Sequence, residues 1–149
     1  MKVRKFRKED ARKLYFLIRK NLLEVNIKDY PKKIIQNLVE EHKPKKLIKQ
    51  SRKRDMYVLT HNNLVLGTAS IENDGIFTVF VHLEYHGKGI GKRVMNYVEN
   101  IMRKRAIKKV KVPSSITALG FYKKFGYRKV KKVNDKKFGK YIIMCKKLQ

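Results

Sequence analysis

Three glycines at alternate positions, Gly87, Gly89 and Gly91, lie between an apolar, β-branched run and a helical apolar pattern. Glycine lets the backbone approach a ligand closely and adopt positive φ angles. The free N–H groups at the start of the following helix would point at that ligand, and the helix dipole favours a negative charge there. The stretch therefore predicts a phosphate or pyrophosphate site, with Lys88 and Lys92 adding positive charge at its rim.

The spacing of this loop separates it from two common phosphate-binding motifs. It contains no Gly-Lys-Ser/Thr, which excludes a Walker A loop. Its G-x-G-x-G spacing and its position in mid-chain do not fit the dinucleotide-binding fingerprint, which opens a βαβ unit. The stretch instead resembles the acetyl-CoA loop of the GCN5-related N-acetyltransferases, whose pattern is Gln/Arg-x-x-Gly-x-Gly/Ala. The matching residues are His86-Gly87-Lys88-Gly89-Ile90-Gly91.

A second block of the same family pattern follows about thirty residues later. The family pattern is Asn-x-x-Ala-x-x-x-Tyr-x-x-x-Gly-Phe/Tyr, and residues 115–127 match it at Ala118, Tyr122 and Gly126-Tyr127. Ser115 stands where the family often has Asn. The two blocks, in this order, carry the resemblance, which covers about residues 76–130.

The resemblance implies that acetyl-CoA is the acyl-donor cosubstrate and that no metal takes part. The strand before the loop would present backbone groups to the pantetheine arm and the thioester, and the loop amides would hold the pyrophosphate. His86 replaces the usual Gln or Arg and can still donate to a phosphate. The implied cofactor-binding residues are Val79, Phe80, Val81, His86, Gly87, Lys88, Gly89, Ile90, Gly91, Lys92, Ser115 and Tyr122.

The resemblance also implies that Tyr122 donates a proton to the departing CoA thiolate. The alternative is that Tyr122 is a core aromatic beside Phe121 and Phe125. The two positions where family members carry a glutamate base hold Val110 and Gly75 in this chain.

The acids near the ends of the central strands are the remaining candidates for a base. This group contains Glu72, Asp74 and Glu84, and Glu84 is the preferred candidate for a base or amine-binding residue. The acceptor could also arrive as a neutral amine that needs no base. His42 lies near a helix end, where a cation is favourable, and is interpreted as structural.

Composition limits the class of protein. The 149 residues, 42% of them apolar, fit one domain spanning residues 1–149. No apolar run approaches the roughly eighteen residues of a membrane span, and the basic N-terminus has no apolar signal core behind it. Cys145 is the only cysteine, which excludes a disulfide framework and a cysteine metal cluster. We expect a cytoplasmic protein.

The net charge of +27 is unevenly placed. Residues 1–54 carry nineteen Lys/Arg and residues 88–149 carry twenty, whereas residues 55–87 carry none and hold four acids. The basic flanks could attract nucleic acid or other polyanions. A lysine-rich solvated surface without a partner is the alternative.

The hydrophobic periods predict the element order β-α-α-β-β-β-α-β-α-β-β, which is that of the acetyltransferase family. A short further helix over Lys46–Ser51 is the least defined element. We expect an α/β (α+β) acyltransferase fold, with a mixed, mostly antiparallel sheet flanked by helices and splayed central strands holding acetyl-CoA. The predicted strands are Lys2–Phe6, Met56–Thr60, Leu64–Ile71, Ile76–His82, Lys109–Val112 ended by Pro113, Tyr127–Val133 and Lys140–Lys147, the last pair turning around Asn134-Asp135.

Two functional hypotheses follow. The first is an acetyl-CoA-dependent N-acetyltransferase that acts by direct attack of a primary amine, on a small molecule or a peptide, in a monomer or homodimer that does not bind membranes. The second is a non-catalytic basic module that binds nucleic acid or the ribosome on the same fold.

Overall fold

The computed structural model describes residues 1–149 and contains one seven-stranded sheet with the strand order β1-β2-β3-β4-β5-β7-β6. The strands are β1 (Lys2–Lys5), β2 (Asp55–His61), β3 (Leu64–Glu72), β4 (Gly75–Val81), β5 (Lys109–Ser115), β6 (Arg128–Asp135) and β7 (Gly139–Lys147). The helices are α1 (Ala11–Glu24), α2 (Lys32–Glu41), α3 (Pro44–Gln50), α4 (Ile90–Lys104) and α5 (Leu119–Lys124). Every neighbouring pair is antiparallel except β4 and β5, which confirms the predicted mixed sheet.

Both faces of the sheet are covered, because successive strand residues point to opposite sides. In β2, Met56 and Val58 pack into a cluster with the apolar residues of α1, α2 and α3. Tyr57 and Leu59 pack into the larger cluster on the other face, with the apolar stripe of α4. The helices thus fix both faces of the central strands. None of the helices combines the length and apolar character needed to cross a bilayer.

The central strands β4 and β5 pair at one point only, Gly75 with Lys111. Beyond that point they separate. A bulge in the β3–β4 ladder follows, where Thr78 takes a φ of +54°, a left-handed conformation that is unusual for a β-branched residue. The predicted splay of the central strands is therefore present, and the bulge lies beside it.

Strand β5 continues through Pro113, which was wrongly predicted to end it. The Lys111 N–H donates to the Asp74 carbonyl on the β4 side, at 3.0 Å. Backbone direction alternates along a strand, so the proline nitrogen two residues later also faces β4. The strands have separated there, and the missing proline N–H leaves no ladder bond unmade.

Two element boundaries also differ from prediction. Helix α3 begins at Pro44, in the first turn, rather than at Lys46. The final hairpin turns at residues 136–138 rather than at Asn134-Asp135. The position of this turn has a local cause, because the Asp135 carboxylate accepts the N–H groups of Lys137 and Phe138, both at 2.8 Å.

Candidate active site

Glycine is required in the predicted phosphate loop for two different structural reasons. Gly87 and Gly89 have φ angles of +77° and +80°, and a Cβ added at either would meet nothing within 4 Å. They permit a left-handed backbone that leaves open space beside it. A Cβ at Gly91 would instead lie 2.9 Å from Phe121 Cε1. Gly91 therefore allows α5 to pack closely against the start of α4.

The start of α4 offers a row of free donors. Gly89 is its N-cap residue and supplies no side-chain cap. The N–H groups of Ile90, Gly91 and Lys92 have no acceptor within the protein, as expected for an uncapped first turn. Together with the exposed glycines, these donors fit the phosphate groups of a nucleotide-type cofactor.

A cavity of about 1040 Å³ runs from this loop along the gap between β4 and β5. It is lined by every residue predicted to bind the cofactor except Lys88. The Lys88 ammonium lies 5.2 Å from the ring centroid of Tyr85. No group of three or more His, Cys, Asp or Glu side chains comes together to hold a metal ion.

Strand β4 forms one wall of the gap with its backbone. The His82 N–H donates to Leu66 on β3, so by alternation the backbone groups of Val79 and Val81 face away from β3, toward the gap. The Val81 carbonyl already accepts two side chains, Asn21 Nδ2 at 2.8 Å and the His86 ring at 2.9 Å. The backbone groups of Val79 have no strand partner on this side and can meet a ligand.

Asn21 holds this wall in place and was missed in the sequence. It is 5% exposed on the apolar face of α1 and donates to the carbonyls of Leu17 and Val81, at 3.0 and 2.8 Å. The signal was present, because a polar residue among Leu14, Ile18 and Leu22 must find buried partners.

Tyr122 lies on the opposite side of the cavity, on α5, and is 5% exposed. Its ring meets Phe121 edge to face, with 5.2 Å between the centroids. The structure gives its hydroxyl no hydrogen-bond partner within the protein, although no buried side-chain oxygen is left unpaired. The hydroxyl is therefore reachable from the cavity. Burial raises the pKa of Tyr122, so the phenol keeps its proton at neutral pH.

Ser115 lines the cavity and also shapes the turn that leads to Tyr122. Its Oγ accepts the N–H of Ala118 at 3.1 Å, just before α5 begins. Ala118 is itself the N-cap residue of α5 and the helix has no side-chain cap, so Ser115 shapes the preceding turn and does not cap the helix. The Ser114 Oγ donates to the Ser115 carbonyl.

The carboxylates predicted near the site separate into two groups. Glu84 is exposed and does not line the cavity. Glu72 does line it, and its Oε1 accepts from Arg54 Nε at 2.8 Å. The Arg54 guanidinium lies 4.2 Å from the centroid of Phe77, which stacks against it. Glu41 and His42, at the end of α2, line the same end of the cavity.

Tyr30, which also lines the cavity, connects three distant segments. Its hydroxyl donates to the Lys140 carbonyl at 2.7 Å and accepts the Ile116 N–H at 2.9 Å. Close by, Thr117 Oγ1 donates to Asp29 Oδ2 at 2.7 Å. The chain between α1 and α2 is thereby tied to both the β5–α5 connection and the last hairpin. No local sequence signal identified this contact, since its partners are backbone groups of remote segments.

The sequence matches a known protein family. The family model described as "Acetyltransferase (GNAT) domain" matches residues 23–148. No protein of curated function matches the sequence.

Several solved structures share the fold. A GCN5-related N-acetyltransferase from Rhodopseudomonas palustris superposes with a TM-score of 0.92 at 20% identity, over 99% of this chain and 95% of that one. The PaiA N-acetyltransferase of Thermoplasma acidophilum, solved in complex with coenzyme A, gives 0.81 at 22% identity, over 99% and 98%. The ribosomal-protein-S18-alanine N-acetyltransferase of Escherichia coli gives 0.68 at 14% identity, over 98% and 92%.

Proposed function

Because the chain belongs to the acetyltransferase (GNAT) family, we propose that it is an acetyl-CoA-dependent N-acetyltransferase acting on a primary amine of a small molecule or peptide. One observation carries the proposal. A single cavity joins the free N–H groups at the start of α4 to the Tyr122 phenol, across the gap where β4 and β5 separate.

The loop and the β4 wall are the binding parts of this proposal. Acetyl-CoA would supply the thioester carbonyl that the amine attacks. The donors of Ile90, Gly91 and Lys92 would hold its phosphates, and the open space at Gly87 and Gly89 would let them approach. The free backbone groups of Val79 would align the arm in the gap. Holding both reactants in one cavity is itself a large part of the rate enhancement.

Tyr122 is the proposed proton donor. Its hydroxyl is protonated, reachable from the cavity and not engaged by the protein. Because this hydroxyl has no hydrogen bond within the protein, none has to be broken before it donates to the developing negative charge. The proton would pass to the sulfur as the C–S bond breaks.

The far end of the cavity is the proposed acceptor site. It carries Glu41 and Glu72 beside Arg54. Carboxylates at this end would attract a cationic amine that the net charge of the protein otherwise repels. Glu84, which lies outside the cavity, is the weaker candidate for that task.

Two measurements test this function. Acetyl-CoA should raise thermal stability, by about 2.7 kcal/mol at a hundred-fold excess over Kd. A panel of primary amines, including polyamines, aminoglycosides and N-terminal peptides, should then identify an acceptor by release of the CoA thiol. No stabilisation by acetyl-CoA would contradict the proposal at its first step, whatever the acceptor.

A second candidate function, polyanion binding, is favoured by one surface. Residues 123–140 contain a single acid, Asp135, and nine cations that are all exposed and in no ion pair. These cations are Lys123, Lys124, Arg128, Lys129, Lys131, Lys132, Lys136, Lys137 and Lys140. They cover α5, the edge strand β6 and the last turn, where an RNA backbone could lie.

The test for this second function compares two triple variants of equal charge. Replacing Lys129, Lys131 and Lys132 by Gln should weaken binding of a labelled single-stranded RNA and flatten its dependence on salt. The control replaces Lys8, Lys20 and Lys45, which are exposed elsewhere and also unpaired. Equal weakening by both variants would show a diffuse charge effect and no dedicated surface.

A further inference from the structure

We propose that His42 is the general base of the reaction, acting through its Nε2 on the acceptor amine. The inference rests on the proposed acetyl transfer and adds the proton acceptor that the two usual glutamate positions, Val110 and Gly75, do not provide. His42 is the C-cap residue of α2, as the sequence interpretation placed it, and the proposal adds a chemical role to that structural one.

The tautomer of His42 is fixed by one hydrogen bond. Its Nδ1 lies 2.6 Å from the Leu38 carbonyl, one turn earlier in α2. A carbonyl oxygen can only accept, so Nδ1 must carry the proton. In the neutral ring the other nitrogen, Nε2, then holds a lone pair. That lone pair is the group a general base requires.

Nε2 is also free. No side chain or backbone group of the protein bonds to it. Because every buried side-chain nitrogen has a partner, the unpaired Nε2 is accessible to solvent. His42 is one of the residues that line the cavity, at the end that also holds Glu72. Its ring packs edge-on against Phe80 of β4, with 5.9 Å between the centroids. The imidazole is therefore held beside the strand that borders the gap.

The surroundings keep His42 neutral. Burial lowers its pKa below the usual value for histidine. Two charged groups face it: Glu41 of its own helix opposes this shift, and Arg54, which precedes β2, reinforces it. Arg54 is in turn paired with Glu72 of β3. The ring is therefore unprotonated at neutral pH, which leaves the lone pair of Nε2 available, and Glu41 can offset the charge of the imidazolium once a proton is taken.

The proton balance closes with groups already named. An acceptor ammonium gives one proton to His42 Nε2, and its nitrogen lone pair forms the C–N bond as the C–S bond of the thioester breaks. Tyr122 supplies the proton that the sulfur takes. The second proton of the amine leaves as the amide forms and replaces the one that Tyr122 lost, through water. His42 releases its proton to solvent, so each turnover yields amide, CoA thiol and one proton.

The first test is independent of activity. Nitrogen NMR of the imidazoles in the protein as isolated should show His42 neutral at pH 7, with the proton on Nδ1. A protonated Nε2, in either the other tautomer or the cation, would overturn the proposal.

The second test is kinetic. His42→Asn keeps an amide donor for the Leu38 carbonyl but removes Nε2, and should lower kcat about 10²–10⁴-fold, the usual range for a general base. The wild-type fall in kcat on acidification should disappear. Loss should be smaller with trifluoroethylamine, which is neutral at pH 7, than with butylamine. His61→Asn, at the end of β2, is the control and should match wild type.

The outcomes separate this inference from the function on which it rests. Thermal stabilisation by acetyl-CoA should survive in His42→Asn, which also shows that the variant folds. If wild type transfers acetyl groups and His42→Asn retains both its rate and its acid limb, His42 is not the base. If wild type transfers to no amine, the proposed function fails, while the NMR result still decides the state of His42.

Discussion

The rings of Tyr122 and Tyr127 meet edge to face, with 5.7 Å between their centroids, yet their hydroxyls have opposite surroundings. The Tyr127 hydroxyl donates to Glu99 Oε2 at 2.6 Å, within a buried group that includes Lys146 Nζ at 2.9 Å from the same carboxylate. The Tyr122 hydroxyl has no protein partner and reaches the cavity. One tyrosine is thus suited to structure and its neighbour to chemistry.

Replacing Tyr122 by Phe should lower kcat by about 10²–10⁴-fold while leaving acetyl-CoA affinity unchanged. The ring fills the same space, so the fold should survive. The raised pKa of Tyr122 places any alkaline loss of its proton above the ordinary phenol value of about 10. Steady-state kinetics and cofactor-induced thermal shifts measure the two effects.

Tyr127→Phe is the matched control for that variant. It should lower unfolding free energy by about 1–3 kcal/mol, because the buried Glu99 carboxylate loses a donor, and leave kcat near wild type. A Tyr122→Phe enzyme that turns over within a few-fold of wild type would mean that the thiolate leaves without this phenol.

Gly89→Asp should abolish stabilisation by acetyl-CoA. The substitution forces an L side chain into φ +80°, at a cost of about 1–2 kcal/mol, and places a negative charge beside the free donors of α4. Differential scanning fluorimetry with and without acetyl-CoA measures the effect.

Gly120→Asp adds the same charge within α5, where an added Cβ meets nothing within 4 Å and the backbone is not left-handed. It should keep the thermal shift. A shift that survives in Gly89→Asp would show that the phosphates bind elsewhere.

Glu72→Gln should raise KM for a cationic acceptor. The change leaves Arg54 unpaired in the cavity and removes a carboxylate from the proposed acceptor site. An energy of about 1 kcal/mol, typical of a solvated pair at contact, corresponds to roughly a five-fold rise in KM. Acetyl-CoA affinity should not change.

Glu84→Gln is the corresponding control, since Glu84 is exposed and outside the cavity. Its kinetics should match wild type. Equal effects from the two variants would point to long-range charge. A larger effect from Glu84→Gln would favour Glu84 as the amine-binding residue, which was the first candidate from the sequence.

Asp10→Asn should reduce stability at neutral pH but not at strongly acidic pH. Asp10 is 6% exposed and accepts Arg4 at 2.8 and 2.9 Å and the Arg7 N–H at 2.7 Å. Burial opposes its ionisation, but these bonds prevail and lower its pKa. The unfolded chain therefore binds the proton first as pH falls. The stabilisation is complete above the unfolded pKa of about 3.9 and is lost as pH falls through the lower folded pKa.

Urea unfolding at pH 7 and pH 3 measures this difference, with the exposed neighbour Glu9→Gln as control. A stability deficit of Asp10→Asn that is the same at both pH values would exclude the ion pair as its source.

The sequence predicted the features whose causes are local. The glycine loop and the order of elements along the chain follow from spacing and period, and Tyr122 was identified through the family resemblance. The role of Gly91 differed from expectation because its neighbour Phe121 lies thirty residues away along the chain. Pro113 misled for a related reason: a proline ends a ladder only where a partner strand waits for its N–H.

The acceptor side could not be read from spacing alone. Glu84 lies outside the cavity because the chain makes a short helical turn at Leu83–Tyr85, just after the end of β4. The tautomer of His42 depends on a bond within α2, and its access to the cavity depends on packing against Phe80. Such side-chain directions are set by tertiary contacts.

Only the bridge between Gly75 and Lys111 joins β4 to β5, so we expect the sheet to behave as two cooperative blocks. One block holds β1 to β4, from the first half of the chain, and the other holds β5, β7 and β6, from its end. A molecule that hydrogen-bonds into the gap would act as a temporary eighth strand and couple the two blocks mechanically. Amide hydrogen exchange should then occur at different rates in the two blocks of the free protein. When the cofactor binds, exchange should slow in both blocks, including the strands at both edges of the sheet.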